Sequence, residues 1–240
     1  MSTPTFKTKI YSDGADLEDM KAINQNAFVT GFTTNPSLLK KAGVTDYLAF
    51  AKKAVATFPD ESISFEVFSN DYDTMLKEAK LLHELGPHVY VKVPIRTTAG
   101  EPTTDLIHDL TAAGVQVNIT AIATAEQVKE SVAAIVPGTP SIVSIFVGRV
   151  ADTGVDPMPF VKKSVELTAE RDDVELLWAS TREIYNITQA EALGVDIVTV
   201  PPTILDKLVA KYGQTGDEVT MNTVKGFEAD IKATGLKILD

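Results

Sequence analysis

The apolar pattern of this 240-residue chain switches between a period of two and a period near 3.6 along nearly its whole length, and that alternation limits the fold more than any other feature. Strand-like patterning covers residues 7–11, 28–33, 63–68, 88–93, 115–120, 142–147, 174–180 and 196–200. Helix-like patterns lie between them. Residues 70–85 carry Tyr72, Met75, Ala79 and Leu82 at helical spacing, and residues 123–135 open with Thr124, a candidate N-cap, followed by Glu126 and Gln127 in the first turn. Further helical stretches run over 157–170, 182–193, 204–212 and 219–234. Strands that alternate with helices predict a parallel sheet covered by helices, and eight repeats predict an α/β fold of the (β/α)8 TIM-barrel type. No linker or composition break divides the chain, so residues 1–240 are read as one barrel domain with a C-terminal helix. An open doubly wound sheet is the alternative, but no GxGxxG follows the first strand.

Composition narrows the partners. Lys and Arg number 22 against 33 Asp and Glu, a net charge of −11, which argues against a nucleic-acid partner. A small anionic ligand held by a few local cations is compatible with that charge. No apolar run reaches membrane-spanning length, so no membrane partner is expected. The first residues lack a basic stretch followed by an apolar one, so the expected location is cytoplasmic. The chain has no cysteine, which removes disulfides and thiolate metal sites. Its three histidines, His83, His88 and His108, show no HExxH or other paired spacing, so no metal is expected, and with no Walker loop present no cofactor is expected either.

Strand alternation then sorts the polar residues. Val89, Val91 and Val93 form one face of their segment and Tyr90 and Lys92 the other. Ile63, Phe65 and Val67 oppose Ser64, Glu66 and Phe68, and Val115, Val117 and Ile119 oppose Gln116, Asn118 and Thr120. If the apolar faces pack on helices, Glu66, Lys92 and Asn118 converge inside the barrel from three consecutive strands. A lysine is almost never fully buried without a reason, either an ion pair such as one with Glu66 or a chemical role, and an unprotonated amine in such a place attacks a carbonyl to form a Schiff base. A strand lysine whose head snorkels to water is the plainer reading of Lys92 alone. Arg149 and Arg182, with Ser180 beside the latter, follow the sixth and seventh strand segments, where barrels commonly bind phosphate.

These segments resemble the transaldolase family, in particular its short-chain branch related to fructose-6-phosphate aldolase. The likeness runs from Ile10 to about Leu208. Tyr11-Ser12-Asp13 resembles the first-strand aspartate motif, and Thr33-Thr34-Asn35-Pro36-Ser37 matches the TTNPS signature. Phe65-Glu66-Val67 and Val91-Lys92-Val93-Pro94 resemble the third-strand and Schiff-base lysine motifs. Asn118-Ile119-Thr120 resembles NxT, Phe146-Val147-Gly148-Arg149 matches FVGR, and Ala179-Ser180-Thr181-Arg182 resembles ASxR.

The resemblance implies a reaction and a role for each residue. Lys92 converts a ketose-phosphate carbonyl to an iminium, the electron sink needed to break the C3–C4 bond, so no metal is required. Asp13 takes the C4 hydroxyl proton as general base, and Glu66 activates water through Thr120. Asn35 and Asn118 hydrogen-bond the bound three-carbon unit, Arg149, Arg182 and Ser180 hold the phosphate, and Thr33, Ser144 and Phe146 line the pocket. Taken singly, Asp13 also reads as a turn residue before Gly14, Asn35 as a turn residue before Pro36, and the arginines as surface ion pairs. Glu66 and Phe146 stand where the aldolase branch typically has Gln and Tyr, so the expectation is a transaldolase of the pentose phosphate type. It moves a dihydroxyacetone unit from a ketose phosphate to an aldose phosphate.

The runner-up is a fructose-6-phosphate-type aldolase, or a transaldolase for another anionic ketose such as a sulfo-sugar. A non-enzymatic sugar-phosphate-binding barrel is the reading from another class. Residues 95–102 form a longer, more polar loop than is usual in the family, with Arg96 just beyond Lys92; it reads either as a headgroup contact or as a plain surface loop. Family members assemble as dimers or rings, so a homo-oligomer is expected, with small sugar phosphates as ligands.

Overall fold

Eight parallel strands close into a barrel in strict chain order, with the last paired to the first. The computed structural model describes residues 5–238. The strands are β1 (Lys9–Asp13), β2 (Val29–Thr33), β3 (Ser62–Glu66), β4 (Val89–Pro94), β5 (Val117–Ile122), β6 (Ser141–Ile145), β7 (Val174–Trp178) and β8 (Ile197–Val200). The helices are α1 (Leu17–Ile23), α2 (Pro36–Lys41), α3 (Tyr47–Thr57), α4 (Tyr72–His83), α5 (Thr104–Ala112), α6 (Ala125–Ala134), α7 (Val147–Ala151), α8 (Met158–Thr168), α9 (Tyr185–Leu193), α10 (Pro202–Lys211) and α11 (Gly216–Thr234). This is the expected (β/α)8 TIM barrel.

The faces fall as the alternation requires. Val89, Val91, Val93, Val117 and Ile119 are buried in the main core, which lies between the sheet and its helices. A second cluster of Tyr11, Ile142, Leu177, Ala179 and Ile197 is packed by Tyr90 and Phe146 and fills the barrel interior. Gly31 makes room for it: a Cβ there would lie 2.7 Å from the Tyr11 ring and 2.8 Å from the Ser62 carbonyl. At the N-terminal end Lys9 pairs with Glu175 at 2.6 Å. At the other end the interior turns polar, and that end carries the candidate site.

Several boundaries differ from the sequence reading, for identifiable reasons. β5 and β8 begin two and one residues later than expected. Gly114 and Gly194, both left-handed at φ 78°, end the preceding helices, and Val115 and Val195 donate back to Leu110 and Ala190. This wrapped helix ending consumes the residues that looked like strand starts. β1 begins at Lys9 rather than at residue 7 and runs on to Asp13, whose ladder partner is Thr33. β6 stops at Ile145, because Phe146 caps α7, so the apolar run through Val147 is half strand and half helix. β7 stops at Trp178, before Ser180 at φ 67°. Thr124 does cap α6, in a full capping box with Gln127. The α4 cap is Asp71.

Candidate active site

A cleft of about 210 Å³ opens at the C-terminal ends of the strands. It is lined by Asp13, Thr33, Asn35, Lys92, Thr120, Ser144, Phe146, Arg149, Ser180 and Arg182, along with Leu177, Ala179, Thr181, Thr199 and Pro201. Ten of the twelve residues singled out in the sequence therefore wall one cavity. The other two, Glu66 and Asn118, are the ladder neighbours of Lys92 on either side.

Lys92 is only 6% exposed. Its Nζ donates to the Thr34 carbonyl at 2.8 Å and lies 3.3 Å from Glu66 Oε2. The snorkelling alternative is excluded by that burial. Asn118 is fully buried, donating through Nδ2 to Ser64 Oγ at 2.9 Å and accepting at Oδ1 from Ser144 Oγ at 2.6 Å. Both serines point inward from β3 and β6, so the amide is fixed in one orientation beside Lys92. The Thr120 hydroxyl is buried with no hydrogen-bond partner among the described residues.

Asp13 accepts from Thr33 Oγ1 at 2.9 Å. Burial pushes its carboxyl above the usual aspartate value, and nearby Glu66 adds to the rise; Lys92 and the Thr33 hydroxyl oppose it. As the last residue of β1, Asp13 is a wall residue of the cleft rather than a turn residue. Asn35 does hold a local structural position: Oδ1 caps α2 by accepting from Leu38 N at 3.0 Å, with Pro36 at the first helical position. The residue also lines the cleft.

The cationic side of the cleft is built by α7 and the turn after β7. Arg149 lies on α7, with its guanidinium 4.7 Å from the centre of the Phe146 ring. Gly148 lets α7 approach that turn, since a Cβ there would lie 1.8 Å from the Ser180 carbonyl. Arg182 is held by Asp152 through Nε and Nη2, which raises the arginine pKa and lowers that of Asp152. Arg96 does not line the cleft: it reaches away to Glu130 at 2.5 Å and to its own neighbour's carbonyl, Ile95 O, at 3.0 Å. The loop around it closes on itself, with an Arg96–Pro102 bridge and Thr97 bonded to Glu101 and Gly100. The surface-loop reading of residues 95–102 is the one that holds.

Comparison with known proteins agrees with this arrangement. Residues 10–238 match the transaldolase/fructose-6-phosphate aldolase family. The chain belongs to that family. A probable transaldolase of Mesorhizobium japonicum is 33% identical over 231 residues, covering 96% of this chain and 99% of the relative. One from Methanococcus maripaludis is 34% identical over 226 residues, covering 94% and 98%. Among solved structures, 3-hexulose-6-phosphate synthase from Salmonella typhimurium superposes with a TM-score of 0.58 at 17% identity, over 83% of this chain and 90% of that one. A 2,3-dimethylmalate lyase gives 0.57 at 11%, over 98% and 86%. At those identities the likeness concerns the barrel alone.

Within this transaldolase-family cleft, sequence reasoning passed over Thr199 and Pro201, at the end of β8, and gave no role to Thr181, in the turn after β7. A period-two reading of 196–200 sets Ile197 and Thr199 on one face, and that was the available signal. Among the described residues, no helix is long and apolar enough to cross a membrane.

Proposed function

We propose that the protein is a Schiff-base transaldolase, carrying a dihydroxyacetone unit from a ketose phosphate to an aldose phosphate. The observation that carries this reading is Lys92, a nearly buried amine that faces the cleft with Glu66 3.3 Å from its Nζ. Lys92 attacks the donor's carbonyl, and Glu66 takes up and returns protons as the carbinolamine loses water, with Thr120 guiding that water. Asp13 then removes the C4 hydroxyl proton, the C3–C4 bond breaks, and the electron pair enters the iminium to leave an enamine on Lys92. The first aldehyde departs, the enamine attacks the second, and the steps reverse.

Asn35 and Asn118 orient the three-carbon unit, the latter from just behind the cleft wall. Arg149, Arg182 and Ser180 hold the phosphate, whose oxygens suit guanidinium donors. Arg182 already has a carboxylate partner in Asp152, so phosphate either shares the fork or replaces that partner. The family favours sugar phosphates as substrates, and the proposal extends to a cytoplasmic enzyme of the pentose phosphate type that works as a homo-oligomer without a metal.

Transfer rather than net cleavage is the outcome that Phe146 supports. A hydroxyl at that position helps protonate the enamine, and a phenyl ring supplies none. With fructose 6-phosphate as donor, adding an aldose phosphate should give exchanged ketose much faster than free dihydroxyacetone. Phe146→Tyr should raise the share of free dihydroxyacetone. A wild-type enzyme that releases dihydroxyacetone as fast as it transfers it would instead be an aldolase.

A further inference from the structure

We infer that Thr199 is a positioning residue for Asp13, acting through the hydroxyl of Thr33. The inference rests on the reading of Asp13 as general base and adds to it a residue on a different strand.

The geometry is a chain of three groups from three neighbouring strands. Thr199 points into the barrel from β8, Asp13 ends β1, and Thr33 ends β2. Thr33 Oγ1 donates to Asp13 Oδ1 at 2.9 Å and meets Thr199 Oγ1 at 2.5 Å. Both threonines are nearly buried, at 3% and 4% exposure, and both line the cleft. Thr199 is held in turn: Thr181 Oγ1 donates to its carbonyl at 2.8 Å.

Counting protons gives the chain a direction. An ionised carboxylate only accepts, and each hydroxyl has one proton. Thr33 commits its proton to Asp13, so toward Thr199 its oxygen must accept. Thr199 therefore donates to Thr33, and Thr33 donates to Asp13. A hydroxyl that accepts one hydrogen bond is a stronger donor in the next. Thr199 thus strengthens the bond that favours ionised Asp13, the form a general base needs, and keeps Thr33 from turning away. The charged groups that act on Asp13 are Lys92 from β4 and Glu66 from β3, while Arg149 and Arg182 line the same cleft. Exchange of Thr199 leaves all four in place.

The test is the pH profile of kcat/KM for donor cleavage with fructose 6-phosphate, measured for wild type, Thr199→Val, Thr199→Ser and Asp13→Asn. Valine keeps the volume and loses the hydroxyl, whereas serine keeps the hydroxyl. In Thr199→Val the acid limb should move to higher pH by about half a unit, so that the rate at a pH on that limb falls roughly threefold, with the plateau much less affected. Thr199→Ser should restore the wild-type limb. If the valine variant fails to fold, Thr199→Ala is read in its place. A limb that stays put without the hydroxyl, or one that shifts equally in the serine variant, overturns the inference. Asp13→Asn separates the two levels. If that variant is inactive while Thr199→Val is unshifted, the relay alone is wrong; if it cleaves donor normally, the general-base reading falls as well.

Discussion

Asp13 ends β1 inside the barrel, and its raised pKa makes its own position unfavourable at neutral pH. Because the folded state holds the proton more tightly than the unfolded chain, its contribution to stability is fully present below the unfolded value of about 3.9 and is lost as pH rises through the native value. Asp13→Asn keeps an acceptor for Thr33 and removes the charge. The variant should melt above wild type near neutral pH, and the difference should vanish below about pH 4. Thermal melts across that range check this; a variant that melts lower at neutral pH would show that Lys92 and Thr33 outweigh the burial. Asp13 lay beyond the expected strand over 7–11 and stood out only through the first-strand motif of the resemblance, whereas Glu66, Lys92 and Asn118 were legible in the sequence because a polar residue on the inward face of an apolar strand loses its hydration, and only a buried partner or a ligand offsets that cost. Thr199 was not, because a threonine in a short apolar strand reads equally well as β-propensity. The proton count that gives it a role exists only once three strands are side by side.

Elements carry the anion site, and their ends were the least legible part of the sequence. The run Ile145-Phe146-Val147 looks like strand throughout, yet the chain turns into α7 at Phe146, where its amide donates to Ile122 O at 2.7 Å. The signal for the turn is Gly148, whose contact with Ser180 depends on a residue far along the chain. α7 presents Arg149 and the turn after β7 presents Arg182, so the two can be tested as a pair. Arg149→Ala and Arg182→Ala should each raise the donor KM about tenfold or more, equivalent to roughly 1.4 kcal/mol, and a dephosphorylated donor should be affected less. The Arg182–Asp152 pair is half exposed and water screens it, so Arg182→Ala should leave the melting temperature nearly unchanged. Equal KM changes for the two donors would mean the arginines do not contact the phosphate.

For the whole molecule, a helix-covered parallel sheet was legible because strand and helix periods alternate from end to end, and closure into a barrel was favoured over an open doubly wound sheet by the count of eight repeats and the lack of GxGxxG after the first strand. The position of the C-terminal helix was not legible. α11 has no buried residue, and Val219, Val224, Phe227 and Ile231 on it are each more than half exposed. A helix patterned for burial but left uncovered in one chain supports the proposed homo-oligomer, with a second copy covering it. Light scattering should give a mass above that of one chain for wild type, and replacing Val224, Phe227 and Ile231 by Asp should lower it. A wild type that runs as a monomer, or a triple variant of unchanged mass, would contradict the assignment.

The proposed chemistry requires a covalent bond at Lys92, and reductive trapping tests that bond most directly. The protein is treated with borohydride in the presence of fructose 6-phosphate, digested and mapped by mass. One peptide, the one containing Lys92, should gain a reduced three-carbon adduct, and Lys92→Ala should show neither the adduct nor donor cleavage. An adduct on another lysine, or cleavage that survives in Lys92→Ala, would contradict the account.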